Sequence, residues 1–446
     1  SNNTINGGYY GVTTIGTNTT TFCLRNEINN NTLNGQAYYG VFSQYQDFHK
    51  INGNNIDNML VSNTNSTGIY CAYVERFELK KNKVNRAGQY GVNLNSMNYQ
   101  LGTGTDRSEI SNNMVGGIFY NTNPYGLALN TQARNIDIWH NSIHVLNVGG
   151  GYAIFMQYTT SGTYEGLDFA NNTISATNNT GYISWLYWST GLTPTIPITN
   201  FSSNNIYSPN TSVFMAVFNQ NGYAGTGWIS ANTNGLNTLT CKNLDPQYLN
   251  EATNLHINQG NLNDVGTNLS QVNSDIDGDI RPLSPSSIVD IGADEFAVPA
   301  LNIGPIALVS PTAPLTTGLQ DVVVKIKNFG ASTVTSANVS YKVGFNGSIK
   351  TVAWTGSIAT NATADVTFTG GNQYNFTGSY DTVIAWTDGP NGGVDQYKLN
   401  DTFVSSTICQ PLAGSYTINA LAPVSATNFQ SFTQLTSALN NCGMTA

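Results

Sequence analysis

Two aspartates, Asp137 and Asp168, are the residues whose type and spacing best suit chemistry. Each lies four residues before an asparagine, Asn141 or Asn172, that marks one point of a repeated segment. If the repeats stack, the two carboxyl groups lie on adjacent repeats, roughly 5 Å apart. This separation suits the carboxylates of a retaining glycosidase or an oxygen site for Ca²⁺. The alternative, which we favour, is a solvated acidic pair beside Asn200.

A second acidic set alternates with other residues around a glycine, as in one kind of calcium-binding loop. Its members are Asp275, Asp277 and Asp279. The glutamate that completes an EF-hand loop is missing at the required spacing. The favoured alternative is a structural cap in which Arg281 pairs with Asp290 or Asp294. A structural calcium ion is therefore the one cofactor that the sequence suggests.

The histidines offer little metal chemistry at the level of sequence. His140 and His144 could share a metal on a helix, but on a β-coil they lie on either side of the turn at Asn141. His49 and His256 are isolated in the sequence. Motifs for a nucleophilic serine, a phosphate-binding loop or a dinucleotide-binding fold are also missing from it. These observations predict that the chain is not an enzyme.

Aromatic residues are the other candidates for ligand binding. Trp185 and Tyr187 fall on one face of a predicted strand, where their rings could bind a sugar face, and the alternative is packing. A file of tyrosines also recurs, at Tyr10, Tyr39, Tyr90, Tyr125 and Tyr152. Because each tyrosine and the apolar residue two positions later share a strand face, we expect the file to pack inside. Surface glycans are the partners that exposed rings would suit.

An internal repeat predicts the elements that position these residues. An Asn-x-Ile/Val-type tripeptide recurs every 23 to 32 residues, beginning at Asn3, Asn26, Asn54, Asn82, Asn112, Asn141, Asn172 and Asn204. A period near 30 residues, with β-branched residues and no helical pattern, predicts a parallel β-helix. An asparagine at the same turn of each coil can bond to those above and below. An antiparallel sandwich rich in Asn turns is the less favoured alternative.

The composition is consistent with a stacked β structure. Only 9% of the 446 residues are charged, against about 25% in ordinary soluble domains. The net charge of −9 and the thinly spread Lys and Arg exclude nucleic acid as a partner. The longest apolar run is too short for membrane insertion. Five cysteines are too few for a disulfide scaffold, although Cys409 and Cys442 could pair.

Two motifs predict where the β-helix ends. Asp275-Ile-Asp-Gly-Asp-Ile-Arg281-Pro282 is followed by Asp290-Ile-Gly-Ala-Asp-Glu-Phe296. This pair resembles the closing segment of bacterial right-handed β-helix surface proteins, in which a DxDGxxRP stretch precedes a DIGAxE stretch. The resemblance implies that residues 1–297 form a right-handed parallel β-helix, which begins in mid-repeat and is therefore truncated at its N-terminal side.

The next segment, residues 298–409, changes to the alternation of an immunoglobulin-like β-sandwich. Val322 to Gly330 (VVVKIKNFG), with Asn400-Asp401-Thr402 near the end, resembles the CARDB-like modules of bacterial surface proteins. Residues 410–446 then contain an amphipathic run ended by Cys442. This run resembles the cap helix at the start of a following β-helix repeat.

The whole arrangement resembles the repeat units of giant type IX-secreted adhesins of gliding bacteria. The resemblance implies a non-catalytic structural or adhesive module at the extracellular cell surface, flanked by neighbouring repeats of the same chain. A polysaccharide lyase or glycosidase built on a β-helix, or a carbohydrate-binding module, is the alternative. Asp381-Thr382-Val383 also fits the O-glycosylation pattern of bacteria with such arrays, which makes Thr382 a candidate glycosylation site.

Overall fold

The computed structural model describes most of the chain. The described residues are 1–59, 65–100, 106–118, 123–146, 151–158, 164–177, 182–187, 198–210, 212–218, 221–230, 236, 238–257, 260–284, 286–312, 315–376, 382–405, 408, 411–423, 428–442 and 444; the side chains of 157, 158, 182, 184–187, 217, 218, 221, 230, 399 and 441 are outside this description. The chain divides into two compact units, Ser1–Ala297 and Val298–Ala446.

The first unit is built from short strands and one short helix. In chain order they are β1 (Thr4–Asn6), β2 (Tyr10–Ile15), β3 (Cys23–Leu24), β4 (Glu27–Asn29), β5 (Thr32–Asn34), β6 (Tyr39–Asp47), β7 (Lys50–Asn52), β8 (Asn55–Asp57), β9 (Thr67–Glu75), β10 (Glu78–Lys80), β11 (Lys83–Asn85), β12 (Tyr90–Met97), β13 (Ser108–Ser111), β14 (Met114–Ile118), β15 (Tyr125–Trp139), β16 (Ser142–Leu146), β17 (Tyr152–Tyr158), β18 (Tyr164–Ala170), β19 (Thr173–Thr177), β20 (Tyr182–Tyr187), β21 (Ile198–Ser202), β22 (Asn205–Tyr207), β23 (Phe214–Phe218), β24 (Asn221–Ala224), α1 (Gly227–Ser230), β25 (Tyr248–Asn250) and β26 (Asn254–Ile257).

The strands stack in three parallel columns. The first is an eight-stranded sheet in the order β1-β5-β8-β11-β14-β16-β19-β22. The other two columns belong to one sixteen-stranded sheet and are joined through β15, which pairs with β12 and β17 in its first half and with β13 and β18 in its second. The predicted all-β class and coiled architecture are confirmed as a β-solenoid. Its right-handed winding stays a prediction.

The interior of the solenoid is an apolar column that follows the register of the first sheet. Aligned residues of successive coils are Ile5, Leu33, Ile56, Val84, Val115, Ile143, Ile174 and Ile206. From Leu33 onward every member is buried. Stacking of the coils removes these apolar side chains from water, so the coils stabilise one another.

A ladder of asparagine side chains connects the coils beside this column. Its members are Asn3, Asn31, Asn54, Asn82, Asn113, Asn141, Asn172 and Asn204. Each of the first seven donates from Nδ2 to Oδ1 of the next over 2.8 to 3.0 Å. Two predicted members were wrong, because Asn31 and Asn113 occupy the ladder instead of Asn26 and Asn112. The residue three positions before the ladder asparagine points into the core. With Asn113 in the ladder this residue is Ile110, which is buried, whereas with Asn112 it would be Glu109.

A glycine follows the tyrosine position in most coils because adjacent coils approach closely there. A Cβ added to Gly68 would lie 2.6 Å from the carbonyl oxygen of Gly91 in the next coil and would also collide with Val84. Such distances are far below van der Waals contact, so a larger residue forces the two coils apart.

Residues 248–296, called the closing segment below, pack against the outside of the first sheet. Leu255 and Ile276 form a small apolar cluster with Met114 of β14. The buried Arg281 donates to Glu295 over 2.6 Å and to the carbonyl oxygen of Gly292 over 2.9 Å. The predicted pairing of Arg281 with Asp290 or Asp294 is therefore corrected. The carboxylates of those two aspartates accept backbone N–H groups instead.

The second unit opens with a set of antiparallel strands. They are β27 (Ile303–Ser310), β28 (Gly318–Gln320), β29 (Val322–Asn328), β30 (Val334–Val343), β31 (Lys350–Ile358), β32 (Thr363–Phe368), β33 (Tyr374–Phe376), β34 (Val383–Asp388) and β35 (Thr402–Val404), with 3-10 turns at Gly370–Asn372, Pro390–Gly392 and Lys398–Asn400. A three-stranded sheet, β27-β29-β32, and a four-stranded sheet, β31-β30-β34-β35, share one apolar core. In that core Tyr341 and Phe368 meet edge to face at 4.6 Å. This arrangement is a β-sandwich.

The last residues form β36 (Thr417–Ile418), β37 (Asn428–Phe429) and α2 (Phe432–Cys442). Helix α2 ends at Cys442, as predicted, and Phe432 on it is exposed. Cys442 is disulfide-bonded, whereas Cys23, Cys71 and Cys241 are free thiols; Cys409 lies outside the described residues. That residues 410–446 begin a further repeat stays a prediction.

Candidate functional site

The predicted acidic pair is part of a longer column on the outside of the solenoid. Strand register aligns Glu27, Lys50, Glu78, Glu109, Asp137, Asp168 and Asn200 on successive coils. Asp137 and Asp168 are therefore direct neighbours, as their spacing predicted. Glu109 belongs to this column because it lies four residues before Asn113, the ladder asparagine of its coil.

Both aspartates are held by neighbouring side chains. The guanidinium of Arg107, which belongs to the adjacent coil, contacts Oδ1 of Asp137 at 2.5 Å. Trp139 Nε1 and Asn200 Nδ2 donate to Oδ1 of Asp168 over 2.9 and 3.0 Å. Burial raises the pKa of Asp137, and Arg107 opposes this rise. Its raised pKa is a property that a general acid would need.

The tyrosine file forms a stacked column, but it lies on the surface of the solenoid. Ring centroids are 5.4 Å apart for Tyr10 and Tyr39, 4.8 Å for Tyr90 and Tyr125, and 5.5 Å for Tyr125 and Tyr152. Tyr10 is exposed and the other members are half-buried. The prediction that the file packs inside was wrong. The glycine that follows each tyrosine packs against core side chains. The tyrosine therefore faces outward, whereas the apolar residue two positions later faces the core.

The stacking also limits what these rings can bind. Tyr90, Tyr125 and Tyr152 are nearly parallel, with 11° between successive planes, so Tyr125 has both ring faces covered by its neighbours. A pyranose binds an aromatic face, and such a face is free only at an end of the file. Burial raises the pKa of Tyr90 and Tyr125, which keeps their phenol groups protonated and uncharged.

Other predicted binding residues have defined places in the chain. Trp185 aligns with Phe155 on the preceding coil and Tyr187 aligns with Gln157; the side chains of Trp185 and Tyr187 lie outside the described residues. Thr382 is half-buried before β34, and Asp381 lies outside the described residues.

The Asp275, Asp277 and Asp279 set does not converge on one point. Asp275 is fully buried, and its Oδ1 accepts the backbone N–H groups of residues 277, 278 and 279 over 2.8 to 2.9 Å. Its Oδ2 accepts the N–H of Glu295 over 3.0 Å. The Asp275 carboxylate therefore fixes the loop against the DIGADE stretch, and both of its oxygens already accept hydrogen bonds from backbone N–H groups. The three aspartates do not fit a calcium ion together.

A different set of metal-binding side chains does converge. His256, Asp277 and Asp294 each place one ligand atom within 4.8 Å of the others. Nε2 of His256 is 2.5 Å from Oδ2 of Asp277, and Lys83 of β11 is 3.0 Å from Oδ1 of the same carboxylate. His256 lines a cavity of about 380 Å³, Asp277 lines one of about 330 Å³, and Lys83 lines both. Sequence reasoning missed His256 because no short-range spacing links it to either aspartate.

One further triplet has the order of a catalytic triad. Nδ1 of His144 is 2.8 Å from Oγ of Ser175, and Nε2 of His144 is 3.5 Å from Oε2 of Glu251. Ser175 and His144 are each 1% exposed. The hydroxyl therefore cannot reach a substrate in this conformation, and the triplet serves to attach the closing segment to β16 and β19.

Comparisons with known proteins give limited likenesses. No family model matches the chain, and no curated protein matches it. A domain of a Methanosarcina acetivorans protein described as a cell surface protein is similar, at 22% identity and TM-score 0.20, over 25% of this chain and 91% of that one. The CARDB domain of a Pyrococcus furiosus protein, solved with di-metal ions, is similar at 22% identity and TM-score 0.19, over 26% of this chain and 100% of that one.

The described part of the chain has no helix long and apolar enough to cross a bilayer. The TM-scores of both solved domains are low, so the sandwich is identified from the strand order of this chain and not from these likenesses.

Proposed function

We propose that this chain is a non-catalytic structural and adhesive module of a large, repetitive, secreted cell-surface protein. The observation that carries the proposal is the asparagine ladder, in which seven amide hydrogen bonds join eight coils from Asn3 to Asn204. A buried ladder of this kind makes the solenoid resistant to bending, because tilting one coil breaks bonds to two neighbours. The ladder asparagines use their side chains to join one coil to the next, as a rigid spacer requires.

The outer surface supports the same function. Acidic residues of the outer column form ion pairs with neighbouring coils, for example Lys80 with Glu109 at 2.7 Å. The tyrosine file stacks along the same direction, so its inner rings contribute to the spacer and its end rings can contact a glycan. Neighbouring repeats of the parent chain and surface glycans are the partners that we infer, at the extracellular surface.

A polysaccharide-active enzyme is the second candidate. It is favoured by one observation, the alignment of Asp137 with Asp168 on adjacent coils together with the raised pKa of Asp137. One acid of raised pKa beside a second carboxylate is the arrangement used by retaining glycosidases.

One assay separates these functions. The full chain is incubated with a panel of neutral and acidic polysaccharides, and both retention on the polymer and release of new ends are measured. We expect retention or no interaction, and no release. Release that is lost in both Asp137→Asn and Asp168→Asn, with unchanged circular dichroism, would establish the enzyme and reject the proposal. Antibody labelling of intact cells tests the location, and labelling only after lysis would contradict it.

A further inference from the structure

The closing segment brings three distant side chains together at one edge of the solenoid. His256 belongs to β26, Asp277 to the DxDGD loop, and Asp294 to the DIGADE stretch. Their ligand atoms lie within 4.8 Å of one another. A hydrogen bond joins β26 to the DIGADE stretch, since the backbone N–H of Ile257 donates to Oδ2 of Asp294 over 3.1 Å.

The hydrogen bonds of His256 determine which ring nitrogen faces the carboxylates. Oδ1 of Asn254 accepts the backbone N–H of His256 over 3.2 Å, which identifies that atom as the amide oxygen. The same oxygen contacts Nδ1 of His256, so Nδ1 must carry the proton. Nε2 then directs its lone pair at Oδ2 of Asp277, 2.5 Å away. A proton between the two atoms accounts for this distance, and a metal ion that takes its place needs them about 3 Å apart, because zinc lies about 2.0 to 2.2 Å from each ligand atom.

The charges around the cluster leave one carboxylate without a cation. Asp294 is 7% exposed. Arg281 is engaged with Glu295 at 2.6 Å, and Lys83 with Asp277 at 3.0 Å. Among the described residues, no Lys or Arg nitrogen lies within 4.0 Å of Asp294. A buried carboxylate of this kind gains stability from a bound cation.

We propose that His256, Asp277 and Asp294 bind one first-row divalent metal ion of the Zn²⁺ type, which fastens the three stretches of the closing segment to one another. One imidazole nitrogen and two carboxylate oxygens form the mixed ligand set that zinc accepts. Asn254 is the outer partner that orients the imidazole. A fourth position remains for water.

The ligand set also separates this site from a calcium loop. Calcium takes six to eight oxygen ligands and has little affinity for imidazole. Asp275 is occupied by four backbone N–H groups, and Asp279 is exposed and outside the cluster. The inferred site therefore uses only one carboxylate of the DxDGD loop.

The test is a titration of the metal-free full chain with Zn²⁺ and, separately, with Ca²⁺, followed by calorimetry. We expect one Zn²⁺ per chain and no saturable binding of Ca²⁺. His256→Ala and Asp294→Asn each weaken Zn²⁺ binding by roughly 100-fold or more, and Asn254→Ala by about 10-fold. Asp279→Asn, a matched change on the same loop, leaves binding unchanged.

Circular dichroism of the metal-free variants shows whether each is folded. For variants that misfold, X-ray absorption at the zinc edge on the unaltered chain replaces the comparison, and one imidazole ligand with oxygen neighbours is the expected spectrum. The proposal is overturned by three results: no saturable Zn²⁺ binding, Zn²⁺ binding that persists in folded His256→Ala and Asp294→Asn, or saturable Ca²⁺ binding in place of Zn²⁺.

Discussion

The solenoid and the sandwich use buried asparagine in different ways. In the solenoid, each ladder asparagine bonds to the same residue of the next coil, 23 to 32 positions away. In the sandwich, Asn328 is fully buried and bonds to backbone groups of its own turn and of Ile358. A repeated fold can satisfy a polar side chain with its own copy, whereas a fold without repeats needs a specific partner. Damage in the solenoid should therefore spread along the axis, and damage in the sandwich should stay local.

Within the solenoid, the largest effect that we expect comes from breaking the ladder at its middle. Asn141→Ala removes acceptors for both Nδ2 and the backbone N–H of Asn113 and leaves these donors buried. The free energy of unfolding should fall by roughly 3 kcal/mol. Asn3→Ala at the exposed end of the ladder is the control, with a loss of about 1 kcal/mol. Chemical denaturation of both variants measures the difference, and equal losses would show that the ladder is not cooperative.

The stability loss caused by adding a methyl group to a glycine should differ between the solenoid and the sandwich. Gly68→Ala forces a Cβ to within 2.6 Å of the carbonyl of Gly91, and we expect it to cost about 2 kcal/mol. Gly371→Ala in the sandwich meets nothing within 4 Å and should change stability by less than about 1 kcal/mol. Thermal unfolding of both proteins tests this pair. A tolerated Gly68→Ala would mean that adjacent coils can move apart easily.

The pH dependence of stability should also differ between the units. Burial raises the pKa of Asp290 in the solenoid to about 8 and that of Asp401 in the sandwich to about 6. Each folded unit then keeps a proton that the unfolded chain has already lost above pH 4. Stability therefore falls as the pH rises, until about pH 8 for the solenoid and about pH 6 for the sandwich.

Denaturation in the presence of a chelator, at about pH 6 and about pH 8, measures this difference. The solenoid should lose up to about 1.4 kcal/mol per pH unit in this range, and Asp290→Asn should flatten the slope. A sandwich that loses as much as the solenoid above pH 6 would contradict the assignment to Asp290.

The smallest expected effect is on the outer tyrosine file. Tyr125→Ala removes ring contacts at 4.8 and 5.5 Å from a half-buried position, and the loss should be about 1 kcal/mol. Tyr341→Ala in the sandwich core is the comparison, since that ring is fully buried against Phe368 and its loss should cost about 4 kcal/mol. Denaturant midpoints for both variants would show whether outer and inner rings differ in this order.

Much of the fold could be predicted because the repeat is written along the chain. The spacing of the asparagines was sufficient for a coiled all-β unit, and the alternation around Val322 and Val324 was sufficient for strands of a sandwich. The register at single coils could not be predicted where two asparagines are adjacent, as at Asn112 and Asn113. There the choice depends on which neighbour enters the core, and a one-residue shift reverses every side chain of the coil.

The sequence by itself determined that the coils stack and that Asp137 and Asp168 are neighbours, because a fixed period places equivalent residues one strand spacing apart. Only the tertiary structure decided that the tyrosines face outward, because a close approach between coils sets the strand geometry at each glycine. Only the tertiary structure, too, joined His256 to Asp277 and Asp294, because the closing segment is outside the repeat and folds back by packing on the first sheet. A sequence period predicts contacts between repeated copies of a segment. It carries no information about the contacts of a segment that is not repeated.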